Sequence, residues 1–155
     1  MNKYSANENK IIFPKLSYKI KGVLFDVHSQ LGNRYQEKYY SRAVALGFEK
    51  VGLKFDGELK VNIAYYGKII GKYYLDFLVE DKIVVELKAV PQLSPQGFKQ
   101  ISGYLKAKKL ELGLLVNFRS PSLEYNRVLN SEFINKDYSN KFVTNSDKLG
   151  YRCIN

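Results

Sequence analysis

The sequence predicts an α/β fold: a mixed β-sheet flanked by helices in the order α-α-β-β-β-α-β, with one further strand near the end. Three observations carry this. Residues 15–51 hold apolar side chains at helical spacing, and residues 54–90 break into three strand-like runs. A helix-start signal at Ser94-Pro95 then precedes the apolar run LGLLVNF.

Each element has its own reason. Residues 1–13 read as a flexible or loosely docked start. From Lys15 to Leu31 the apolar residues Leu16, Ile20, Leu24, Val27 and Leu31 recur at helical spacing. Gly32-Asn33 interrupts them, and a second helical pattern runs from Arg34 to Val51, with Tyr35, Tyr39, Ala43 and Leu46 on one face and Gly52 marking its end. Strands are expected over Lys54–Tyr66, Lys68–Val79 and Lys82–Val90, joined at Gly67-Lys68 and at Glu80-Asp81-Lys82. Pro91 stops the third. Ser94 suits an N-cap and Pro95 the first helical position, after which Phe98, Ile101 and Leu105 supply an apolar face. Leu112–Phe118 reads as a fully buried strand and Leu123–Leu129 as a last one. Residues 131–155 are polar, Asn-rich and weakly patterned, so residues 1–130 are expected to form a single domain followed by a tail.

At 155 residues the chain is long enough to bury a real core. It has no apolar run near the roughly 20 residues of a membrane span, and MNKYSANENK lacks the apolar stretch of a secretory signal. The lone Cys153 excludes an intrachain disulfide and a Cys-based zinc site, and fits the reducing cytoplasm. The net charge of +10 points to a polyanion, with nucleic acid the first candidate. Residues 1–119 alone carry +9, so the body rather than a tail is basic. Lys outnumbers Arg 20 to 5, and Asn, Ile and Tyr are plentiful, a pattern that an AT-rich genome also produces.

The chemistry concentrates in LDFLVEDKIVVELKAV, Leu75 to Val90, where Asp76, Glu86 and Lys88 interrupt two apolar runs. Burying charges is costly unless they are paired or bind a metal. Side chains alternate across a strand, so the register decides which of them share a face. A three-residue connection at 80–82 pairs Val79 with Ile83, Phe77 with Val85 and Leu75 with Leu87, an entirely apolar face. The other face then pairs Leu78 with Val84, Asp76 with Glu86 and Tyr74 with Lys88. In that register the two carboxylates stand about 5 Å apart, and like charges so close repel unless a cation or a proton lies between them. Mg²⁺ takes one or two carboxylates with waters and phosphate. Lys88, about 7 Å beyond Glu86 on the same face, can orient a water or stabilise phosphate charge. The alternative is a solvated Lys88–Glu86–Asp76 surface network, against which the apolar setting IVVELKAV counts.

Asp76 with Glu86-Leu87-Lys88 resembles the PD-(D/E)xK nuclease signature, an Asp on one strand and Glu-x-Lys on the next. LGNRYQEKYYSRAV, YYLDFLVEDKIVVELKAV, QISGYL and LGLLVNF also occur in the order seen in the GxxExxR protein family of that superfamily. The similarity covers roughly Leu16 to Phe118. Leu75 stands where the superfamily's name has Pro; Arg34 and Tyr40 stand where the narrower family has Gly and Arg, so no role resting on that Arg carries over. The resemblance implies a restriction-endonuclease-like core and an Mg²⁺- or Mn²⁺-dependent phosphodiesterase acting on nucleic acid, with DNA the substrate to expect. It implies Asp76 and Glu86 as metal ligands, the Leu87 carbonyl as a third, and Lys88 as the positioning or charge-stabilising group. Glu37 resembles the helical acid that joins many such sites, and otherwise reads as a solvated acid favoured at a helix N-terminus.

Gln100 and Tyr104 share one helix face at i, i+4 spacing, and the resemblance turns that face toward the site as a substrate contact; alone the pair is ordinary. Lys99, Lys106, Lys108 and Lys109 give the same helix a basic side, suited to phosphate or simply to solvent. His28, the only histidine, reads more readily as a satisfied helix residue than as a catalyst, although it matches a His of the family's VH stretch. The leading expectation is a DNA nuclease, against a non-catalytic nucleic-acid-binding module and a structural or protein-interaction domain. A homodimer is admissible and no membrane partner is expected.

Overall fold

The structure, a computed structural model, describes residues 11–133 and 153–154. Helices α1 (Pro14–Leu31) and α2 (Glu37–Lys50) come first. Strands β1 (Phe55–Tyr65), β2 (Lys68–Val79) and β3 (Ile83–Lys88) follow, then α3 (Pro95–Lys108), β4 (Leu112–Asn117), β5 (Glu124–Leu129) and the two-residue β6 (Cys153–Ile154). The strands lie side by side in sequence order as one sheet. Among the described strands only β3 and β4 run parallel, and α3 makes the crossover that such a pair requires. The fold is α/β with a mixed sheet and three helices in the expected order, consistent with a restriction-endonuclease-like core.

The central strands are apolar because helices cover both their faces. On one side α1 and α2 place Ile20, Leu24, Tyr40, Val44 and Phe48 over Val85, Leu87, Leu114 and Val116, the first core. On the other, Ile101, Tyr104 and Leu105 of α3 cover Val84 and Leu115, the second core. A Cβ on Gly113 would come within 2.3 Å of the Ile101 side chain, so glycine is what lets α3 lie this close to β4. Phe77 meets Phe48 and Phe55 edge-on, each pair with centroids 5.4 Å apart. Such contacts add about 0.5–1.5 kcal/mol beyond area burial.

The expected face of α2 is displaced. Tyr40, Val44 and Phe48 are fully buried, whereas Tyr35, Tyr39 and Leu46 are exposed. Tyrosine carries a polar hydroxyl and tolerates water, so its spacing misreports the buried side. Tyr40 stacks on Phe118 with centroids 4.4 Å apart. Its hydroxyl donates to the Gly32 carbonyl at 2.7 Å and accepts from the Tyr35 N–H at 3.1 Å, fixing the turn that leads into α2. The start of α1 has no side-chain cap of its own. It is held instead by Arg127 of β5, which donates to the Ile12 carbonyl at 2.9 Å and the Ser17 hydroxyl at 3.1 Å.

Within the start expected to be flexible, Ile12 and Phe13 pack against the first core, and residues 1–10 lie outside the described residues. The tail does too, apart from residues 131–133 and β6, which pairs with β5. Among the described residues no helix is long and apolar enough to cross a membrane.

Candidate active site

The hairpin of β2 and β3 closes through Glu80-Asp81-Lys82. Glu80 and Asp81 adopt left-handed φ of 52° and 54° without a glycine, each at a cost on the order of 1 kcal/mol. Backbone contacts hold the turn: the Glu80 N–H donates to the Lys54 carbonyl at 2.9 Å, and the Lys54 N–H to the Glu80 carboxylate at 2.9 Å. From there the pairs are Val79 with Ile83, Leu78 with Val84 and Phe77 with Val85, the register that the apolar pattern predicts.

The backbone pairing stops at Phe77, and carboxylates take its place. The Asp76 N–H donates to Glu86 Oε2 at 3.0 Å, and the Leu87 N–H donates to Asp76 Oδ2 at 2.7 Å. On the other edge of β2 the pairing with β1 joins Gly57 to Phe77 and Leu59 to Leu75 but skips Glu58 and Asp76, with Glu58 at φ 52°. The faces change there as well. Phe55, Phe77 and Val79 belong to the first core, while Leu59, Val61, Tyr73 and Leu75 belong to the second. Strict alternation would keep odd-numbered residues on one side, so this two-stranded ribbon turns over at Asp76. The expected pairs of Asp76 with Glu86, Leu75 with Leu87 and Tyr74 with Lys88 are therefore absent from the register, and Asp76 and Glu86 meet through their carboxylates instead. Tyr73 takes the inward place instead, donating its hydroxyl to the Gln100 carbonyl at 3.1 Å.

Glu86 is 3% exposed and Lys88 partly buried, so Lys88, Glu86 and Asp76 are not a solvated surface network, whereas the Glu37 side chain at their margin is 43% exposed. Lys88 Nζ lies 2.5 Å from Glu86 Oε1 and 4.0 Å from Glu37 Oε1. Burial pushes Asp76 up to about 7, the Glu86 charge adds to it, and the Leu87 N–H opposes it. Burial also raises Glu86, against the pull of Lys88. For Lys88 burial alone would lower the ammonium, but Glu86, Glu37 and Asp76 together outweigh it and lift it above the ordinary lysine value. Two buried carboxylates that resist ionisation accept either a proton or a cation. When all four groups are ionised they carry a charge of −2, which a divalent cation cancels. Among the described residues no three His, Cys, Asp or Glu side chains stand close enough to form a metal cage by themselves. The donor set fits a hard cation completed by backbone carbonyl, water and phosphate.

The remaining predicted residues spread around this point. Glu37 opens α2. Gln100 joins the site's surroundings through its carbonyl and Tyr73, whose phenol is raised first by burial and then by the Glu86 charge. Tyr104 is 6% exposed within the second core, raised by burial and by Asp56. Lys99, Lys106, Lys108 and Lys109 are all exposed. His28 sets Nε2 3.0 Å from the Ser120 carbonyl, a satisfied helix histidine.

Three contributors escaped sequence reasoning. Tyr73 is the second-core phenol just described; only its place in an aromatic strand pattern pointed to it. Tyr40 fixes the approach to Glu37. Asn117, fully buried, donates to the Val90 carbonyl at 2.9 Å and accepts from the Val90 N–H at 3.1 Å, pinning the chain just beyond Lys88. No local pattern marks such a clip.

A search of curated proteins and of solved structures gives no match. The sequence model of the PD-(D/E)XK nuclease superfamily matches residues 14–128, from the first residue of α1 almost to the end of β5. That span contains the opened β2–β3 ladder and its four charged groups. The chain belongs to the PD-(D/E)XK nuclease superfamily.

Proposed function

We propose that this chain is a divalent-metal-dependent nuclease of the GxxExxR kind that hydrolyses phosphodiester bonds in DNA, working in the cytoplasm. One observation carries the reading: Asp76 and Glu86 meet in a buried place with raised pKa values, beside an ammonium, where the backbone ladder gives way.

Mg²⁺ or Mn²⁺ would be held by Asp76, Glu86 and the Leu87 carbonyl, with Glu37 as a further acid. A strand residue turns its N–H and C=O toward the same neighbour, and the Leu87 N–H already faces Asp76. When bound, the metal polarises the phosphate and lowers the pKa of an attacking water. Lys88 stays protonated at neutral pH because three acids surround it. It therefore serves as a charge donor to the phosphate rather than as a base, stabilising negative charge as it develops. Gln100, Lys99 and Lys106 on α3 supply substrate contacts, with Tyr104 one turn beyond Gln100.

The test is direct. Purified protein is incubated with linear, nicked, branched and single-stranded DNA, with and without Mn²⁺, beside Asp76→Ala. Cleavage that needs the metal and vanishes in the variant is the expected result. No cleavage together with no heat of Mg²⁺ or Mn²⁺ binding overturns it. The short Lys88–Glu86 ion pair favours a second reading, in which the charges are only a buried structural network on a nucleic-acid-binding module. That reading predicts salt-dependent DNA binding, no divalent-ion binding, and lost stability in Lys88→Ala.

A further inference from the structure

The β1–β2 ribbon does not end where the core does. Leu59, Val61 and Tyr73 pack on the second core, and the Tyr73 hydroxyl pins the ribbon's base to α3 through the Gln100 carbonyl. Beyond Val61 the two strands continue, reaching a turn at Tyr66-Gly67. Four further residues at about 3.3 Å each carry this arm about 13 Å past its last core contact. Its surface is unusual for a projection into water. Tyr66 is 88% exposed, Tyr65 63%, and Ile69 and Ile70 66% each.

The charge pattern decides what this surface meets. Lys68 and Lys72 lie on the arm and Lys60 at its base, and no acid occurs between Glu58 and Asp76. A second copy docked here would bring two sets of three like charges together, whereas a polyanion neutralises them. Aromatic rings interleaved with lysines are also the composition by which proteins hold unpaired bases: rings stack on the bases and ammonium groups follow the phosphates. The Tyr65 and Tyr66 rings sit edge to face with centroids 4.5 Å apart rather than stacked on each other, and Tyr66 stays 88% exposed. Tyr73, at the arm's base, is three residues from Asp76, so a strand lying along the arm is led to the opened ladder.

We propose that the β1–β2 arm binds single-stranded nucleic acid by stacking unpaired bases on Tyr65 and Tyr66, with Lys60, Lys68 and Lys72 on the phosphates. This rests on the nuclease reading and deepens it, for it makes the substrate a DNA with an unpaired stretch: a free strand, a flap or a junction.

Binding is measured in EDTA, so that no cleavage intervenes, using an oligothymidylate and a blunt duplex of equal length. Stacking is worth about 1–3 kcal/mol per base, so removing both rings in Tyr65→Ala/Tyr66→Ala should weaken single-strand binding at least about 30-fold and duplex binding far less. The triple variant Lys60→Ala/Lys68→Ala/Lys72→Ala should lower the slope of log affinity against log salt by about 2, since each phosphate contact contributes about 0.7. Quenching of a 2-aminopurine base in the strand should disappear in the tyrosine variant. Unchanged single-strand affinity in both variants overturns the proposal, as does loss of self-association in the tyrosine variant with DNA affinity intact. A wild type that binds single strands through the arm but neither cuts nor binds Mg²⁺ or Mn²⁺ refutes only the nuclease reading. One that cuts, with binding indifferent to the arm, refutes only the arm.

Discussion

The two ends of the β2–β3 hairpin are built on opposite principles. From Phe77 to Val79 the strands pair backbone to backbone and every side chain facing the first core is apolar. One residue further along, at Asp76, the carboxylates of Asp76 and Glu86 occupy the backbone donors and the ribbon turns over. The turn end anchors the hairpin in the fold; the far end spends stability to hold charges where water is scarce. A functional strand can thus be regular for half its length, and the place where regularity fails locates the chemistry.

This contrast makes the substitutions separable. Phe77→Ala, at the regular end, should cost about 3–5 kcal/mol in urea unfolding through the cavity it leaves, while divalent-ion affinity of the folded fraction holds. Lys88→Ala, at the irregular end, should act on turnover rather than on metal affinity. It removes no ligand and takes away a positive charge, so calorimetry should show Mg²⁺ affinity holding or rising slightly. Turnover should fall about 10²–10³-fold, the usual loss for one preorganised stabiliser of the transition state.

The metal-free protein should also respond to pH at that end alone. Folded Asp76 keeps its proton up to about 7, while the unfolded side chain ionises near 3.8. The folded state binds the proton more tightly, so this contribution is full below the unfolded value and is lost as pH rises through the folded one. The gap is worth at most about 4 kcal/mol. Thermal unfolding in EDTA should therefore show Tm falling between about pH 4 and about pH 7, with a flatter profile in Asp76→Asn. A profile identical in the variant would place the raised group elsewhere. The smallest effect is expected for Tyr40→Phe. It strips partners from the Gly32 carbonyl and the Tyr35 N–H, a loss of about 1–3 kcal/mol in stability, and loosens the turn before Glu37.

Much of this was legible in the sequence because the periods are strong. The run IVVELK sits between two helix layers and so is apolar on both sides except where Glu86 and Lys88 stand. The hairpin register followed from matching Val79 to Ile83 and Phe77 to Val85. What escaped was set by tertiary geometry. The phase of α2 was misread because its tyrosines look apolar in a pattern but are half solvated at Tyr35 and Tyr39. The turnover at Asp76 depends on a left-handed residue at Glu58, a conformation that glutamate gives no hint of adopting. Strict alternation carried past that point put Tyr74 where Tyr73 belongs.

The grip of Arg127 on the start of α1 has a consequence for how the chain is made. The bond partners lie 110 and 115 residues apart. At roughly 5–20 residues per second, a ribosome needs on the order of 5–20 s to deliver Arg127 after α1 has appeared. For most of that interval the first helix has a partner in α2 but no finished sheet beneath it, and its Ile20 and Leu24 stripe stays uncovered until β3 and β4 follow. The nascent chain is thus most prone to wrong association midway through synthesis, and its first helix is sealed only when β5 arrives.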